Sequence, residues 1–178
     1  RPWAQAATRV PPGTGRAVAQ DEVLAVAFDG SLHTRLARRG VFATPWQASE
    51  SLLLADGADL DDFAFTGQRT EAVSDPRHGP GQRTVVTGRA GNGVEKAVSV
   101  TFFQRHPGLA VLQATYRNAG PQPLEVRGWR SAAHQLDDRP GGFWSFSGAT
   151  HTDRRDWVRP LDEASEQRNT LSMDSSDY

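Results

Sequence analysis

Apolar side chains recur at every second position along much of this chain, and glycine, proline and aspartate break the runs. In EVLAVAFDGSLHTRLARR, Leu24, Val26 and Phe28 share one strand face, and Leu32, Thr34 and Leu36 continue on a return strand. Asp29-Gly30 between them predicts a two-residue type I′ turn, which needs positive φ at both central positions. ESLLLADGADLDDFAFTGQRTEAV then supplies a short apolar run, an acidic loop and a strand around Phe63 and Phe65, and SDPRHGPG at 74–81 reads as a loop. Val98, Val100 and Phe102 alternate on one face. Pro107 and Gly108 in RHPG suit the central positions of a type II turn. Ala110, Leu112, Ala114 and Tyr116 form one face of the next strand, NAGPQP turns again, and LEVRGWRS leaves as a third strand of the meander.

No segment holds a 3.6-residue period over helical length, and no internal repeat is visible. Antiparallel strands with turns at short intervals predict an all-β fold, an antiparallel β-sandwich. PPG at 11–13 and GTG at 13–15 make residues 1–16 an irregular arm, and residues 17–178 are assigned to the sandwich domain.

At 178 residues the chain is long enough to bury a core without staples. It has no cysteine, which removes disulfide scaffolds, thiolate metal sites and thiol chemistry. That leaves the compartment open, with a secreted location slightly favoured. The net charge of −1 gives no basic field for nucleic acid, and no apolar run is long enough for a membrane helix. Lys96 is the single lysine, so the positive charge is nearly all arginine. The chain opens at Arg1 without a methionine, which points to a processed protein or a piece of a longer one.

Common catalytic motifs fail. No dinucleotide fingerprint, P-loop or GxSxG elbow is present. DGADLDD at 56–62 resembles a calcium loop until its twelfth position, where a bidentate glutamate is needed and Gly67 stands. The five histidines lack zinc spacing. Aspartate pairs 137/138, 153/156 and 174/177 are read as turn formers and arginine partners before they are read as a hydrolytic dyad.

The densest chemistry lies in GGFWSFSGATHTDRRDWVRP, residues 141–160. Trp144 and Trp157 offer flat apolar area, and His151, Asp153, Arg154, Arg155 and Asp156 are the polar inventory. Sugars are recognised by this mixture, an aromatic face against the C–H side of the ring and forked charged groups on its hydroxyls. The same composition also suits a loop whose arginines pair with its own aspartates while the tryptophans plug an edge or dock a neighbouring domain. Both readings stand at this point.

FWSFSGATHTDRRDWVRPL followed by EQRNTLSMDSSDY resembles the N-terminal region of bacterial α-galactosidase-like enzymes of glycoside hydrolase family 36. VTFFQRHPGLAVLQATYRNAGPQPLEVRGWRS is similar to the strand–turn–strand that precedes that motif. The resemblance runs from about Val94 to Tyr178. It implies a β-supersandwich layer, incomplete at this length, in front of a (β/α)₈ barrel. In the family two barrel aspartates cleave terminal α-galactosides with retention and without a cofactor. By that reading this chain holds no catalytic residue, no metal and no cofactor. Its partner is the barrel, with a galactoside-type carbohydrate at the rim. Residues 143–157 are the expected sugar-contact or docking segment. A free-standing carbohydrate-binding module and an Ig-like adhesion domain are the alternatives.

Overall fold

The computed structural model describes residues 15–38 and 42–135, together with two short strands at 144–146 and 158–160. The fold is all-β, and every sheet is antiparallel. The chain divides into two compact units, residues 1–135 and 136–178.

In the first unit β1 (Ala17–Gln20), β2 (Leu24–Phe28), β3 (Thr34–Arg38) and β4 (Phe42–Ala43) form a four-stranded meander. A second four-stranded meander holds the long strands β7 (Ala64–Asp75), β8 (Gly79–Arg89), β9 (Val94–Phe103) and β10 (Ala110–Asn118). Between them in sequence lie β5 (Ser51–Leu54) and β6 (Asp59–Leu60), which form a three-stranded sheet with β11 (Val126–Arg130) in the order β11-β5-β6. In the second unit β12 (Trp144–Phe146) pairs with β13 (Val158–Pro160), with Trp144 opposite Pro160.

The alternating positions read from sequence supply the central apolar cluster. Val26 and Phe28 of the first meander meet Val86, Val94, Val98 and Val100 of the second in one continuous apolar cluster. Each such side chain contributes about 1.5–3 kcal/mol on leaving water. Leu112, Ala114 and Tyr116 of β10 pack against the same cluster, as their shared face predicts. The two meanders therefore form the layers of a partial β-sandwich. Asp21 ties them together: its Oδ1 accepts the Val23 and Leu24 amides at 2.7 and 2.8 Å, and its Oδ2 accepts the Gly108 amide at 2.6 Å. Gly108 has a φ of +83°, and the Leu109 amide donates to the His106 carbonyl at 3.1 Å. Pro107 and Gly108 thus occupy the central positions expected of a type II turn.

Three expectations need correction. Asp29-Gly30 does not make a two-residue turn: Phe28 pairs with Thr34, which leaves a five-residue loop. Asp29 Oδ1 accepts the Ser31 and His33 amides, both at 2.9 Å, and Leu32 takes a φ of +58° to reach the core. The Gly30 and Ser31 carbonyls then receive the Phe65 and Phe63 amides, so the loop is bound to the start of β7. Residues 74–81 are not an open loop, because β7 and β8 run through most of them as a hairpin closed at Asp75 and Gly79. Asp75 Oδ1 accepts the Arg77 and His78 amides, and Gly79 has a φ of +76°. Lastly, β11 does not extend the meander beside β10 but pairs with β5, with Trp129 opposite Leu52. Pro121 and Pro123 lack the amides a returning strand would need, and Asn118 pins the turn by bonding Gly120 N and Gln122 O.

Candidate functional site

The side chains singled out in sequence occupy the second unit. His151, Asp153, Arg154, Arg155, Asp156 and Trp157 lie outside the described residues, and Trp144 is placed only as the first residue of β12. Chemistry that the pattern did not single out lies in the first unit.

Strand β9 alternates Val94, Lys96, Val98 and Val100 into the core, so the chain's single lysine stands at an apolar position. Lys96 is 1% exposed. Its Nζ donates to the Glu50 carbonyl at 2.6 Å and lies 4.9 Å from the centre of the Phe63 ring. Tyr116, its cross-strand partner on β10, stacks at a tilt on Phe63 with centroids 5.9 Å apart. Burial lowers the Lys96 pKa from 10.5 to about 8, against the opposing pull of the Glu50, Asp61 and Asp29 charges. Burial also raises the Tyr116 pKa well above its usual value, and the Glu50 charge adds to the effect. Glu50 is fully buried. Its Oε2, the Ser51 hydroxyl and the Tyr116 hydroxyl are buried and make no hydrogen bond among the described residues.

Glu50 also reaches the end of the first unit. Its Oε1 accepts the Ala132 amide at 2.7 Å, and Ala132 has a φ of +52°. The next residues are held in the same way. The Ala133 amide donates to the Ser49 carbonyl at 3.1 Å, and the Gln135 amide donates to Gln47 Oε1 at 2.6 Å. His134 Nε2 bonds the Thr34 hydroxyl at 2.8 Å, which in turn bonds the Ser49 hydroxyl. Burial lowers the His134 pKa, opposed by the Ala132 backbone and the Glu50 charge.

Two surface features of the first unit stand out. The outer face of the second meander carries a groove of about 520 Å³ lined by Thr66, Thr87, Arg89, Glu95, Thr115 and Arg117. Arg117 pairs with Glu95 at 3.6 Å. Alternation sends the Lys96 side chain to the opposite face, so only its backbone floors this groove. On β11, Trp129 is 74% exposed, and its neighbour Arg130 is paired with Asp59 at 2.7 Å.

The described part of the molecule thus offers a buried charge cluster, a groove on the outer face of the second meander and a solvent-facing tryptophan. The buried cluster holds backbone at two points, where Lys96 Nζ donates to the Glu50 carbonyl and Glu50 Oε1 accepts the Ala132 amide. Among the described residues no group of three or more histidines and acidic residues is arranged to hold a metal ion. Lys96 was visible in sequence as a charged residue breaking an otherwise apolar alternation. Glu50 carried no such signal, because it precedes the LLL run at the boundary of a strand. Compared with protein-family models and with curated proteins, the chain matches none.

Proposed function

We propose that the chain is the non-catalytic N-terminal β-domain of an α-galactosidase-like glycoside hydrolase of family 36, docking on a (β/α)₈ catalytic barrel. The sequence resemblance from Val94 onward motivates the reading. The observation that carries it furthest is Trp129. This side chain lies in the resembling stretch, on a terminal strand of its sheet, and is left in solvent. An indole supplies about 150–250 Å² of apolar area, and tryptophan is enriched among the anchors of protein interfaces. The Lys96–Glu50 cluster fits a supporting layer in that Lys96 Nζ bonds the Glu50 carbonyl and Glu50 Oε1 bonds the Ala132 amide, with both side chains in the buried interior.

The same exposed indole also supports a second reading, a free-standing carbohydrate-binding module with Trp129 as the stacking platform. Two measurements separate the possibilities. Reading the coding frame beyond Tyr178 is expected to reveal a barrel, and a stop codon there overturns the domain reading. Titrating the isolated chain with galactose and raffinose-type sugars is expected to be flat. Saturable binding that disappears in Trp129→Ala or Trp144→Ala replaces the docking domain with the module. Release of galactose from a chromogenic α-galactoside by the purified chain overturns both.

A further inference from the structure

Residues 131–135 contain no regular strand, yet the chain leaves the first unit through them under dense restraint. Every residue from Ala132 to Gln135 bonds the 47–50 stretch directly or through Thr34. The partners are Glu50 Oε1, the Ser49 carbonyl, the Thr34 hydroxyl with Ser49 behind it, and Gln47 Oε1. The 47–50 stretch is itself bound to the first meander, since the Thr34 and Gln47 amides and carbonyls are reciprocally paired at 2.8 and 3.0 Å.

A connecting segment needs no such arrangement, because exposed backbone amides are satisfied by water. Here a carboxylate is buried completely to receive one amide, and that amide belongs to an alanine held in the left-handed region. Both features cost free energy: desolvating a carboxylate is expensive, and the left-handed conformation costs a non-glycine residue about 1–2 kcal/mol. Charge-assisted bonding to backbone offsets them only if the strap stays in place.

We infer that Glu50, with Gln47 as its outer partner, is a positioning residue that fastens the 131–135 strap. The strap sets the point from which the chain departs toward the aromatic–arginine segment. The geometry of the strap stands independently of the glycoside hydrolase reading, and only its consequence for a docked barrel rests on that reading.

Hydrogen exchange on the full 178-residue chain tests this. In Glu50→Ala the amides of Ala132, Ala133 and Gln135 are expected to exchange about tenfold faster or more, while those of β8 and β9 keep their protection. Glu50→Gln retains an acceptor at Oε1 and is expected to restore most of the Ala132 protection, which a purely electrostatic role would not do. Gln47→Ala removes a half-buried side chain with little risk to folding, and it is expected to release Gln135 while β8 and β9 stay protected. Unchanged exchange at 132–135 in both alanine variants overturns the inference. So does acceleration spread evenly over β8 and β9 in Gln47→Ala. Saturable sugar binding or a stop codon after Tyr178 leaves this result untouched, so the two proposals fail separately.

Discussion

Lys96 makes the most demanding prediction. An ammonium at 1% exposure, bonded to one carbonyl, is held in a state the core disfavours. The fall in its pKa from 10.5 to about 8 corresponds to roughly 3 kcal/mol of destabilisation while the group is charged in both the folded and unfolded chains. Below about pH 8 that cost is fully present. Between about pH 8 and 10.5 the unfolded chain keeps the proton that the folded chain has lost, so stability rises by about 1.4 kcal/mol per pH unit. Lys96→Met has nothing to titrate there and serves as the reference. Urea unfolding of both proteins, followed by circular dichroism, gives the difference directly. That difference should move in favour of the lysine protein by roughly 2 kcal/mol between about pH 7.5 and 10. Tyr116, whose raised pKa makes folding less favourable once the unfolded tyrosine ionises, is present in both and cancels. Two curves that run parallel within about 0.5 kcal/mol would refute the claim that the buried ammonium is strained.

Other substitutions test the packing and the backbone. A Cβ on Gly88 would sit 2.8 and 2.9 Å from the Leu32 methyls and 2.9 Å from the Phe63 carbonyl, so Gly88→Ala is expected to cost about 1–3 kcal/mol in urea unfolding. Asp21→Ala strips the acceptor from three backbone amides and should cost about 3 kcal/mol or more, with Asp21→Asn costing visibly less because one acceptor remains. Ala132→Gly removes a left-handed penalty of about 1–2 kcal/mol against a glycine entropy cost of about 0.5–1, so its melting temperature should rise slightly. Leu32→Gly, at the other non-glycine residue with positive φ among the described residues, should instead lose about 3 kcal/mol or more, because that side chain is fully buried.

Much of the fold was legible from spacing alone. Val98, Val100 and Phe102, and then Ala110, Leu112, Ala114 and Tyr116, face the core as the alternation predicts, and Pro107-Gly108 turns the chain between them. Legibility failed where a side chain competed with the backbone for amides. Asp29 captures two amides and swings Leu32 inward, which stretches an Asp-Gly pair into a five-residue loop. Composition misled at 74–81, where a compact acceptor at Asp75 and a positive φ at Gly79 close a hairpin within a polar, glycine-rich stretch. Partner choice was hidden too: nothing local in LEVRGWRS says that it pairs with Leu52 rather than with β10. The buried cluster shows the same limit. Lys96 announces itself by interrupting an apolar face, but its relation to Glu50, 46 positions away, exists only after the sheets have assembled.

The pairing of β11 with β5 also orders events in time. The apolar stretch Leu52–Leu54 leaves the ribosome before its partner strand, with only the two-residue β6 to cover one side. The strand that completes its sheet is not synthesised until residue 130, a wait on the order of ten seconds at ordinary translation rates. During that interval a nascent leucine-rich edge is open to adhesion, so yield in a heterologous host should depend on chaperone supply and growth temperature more than on the stability of the finished protein.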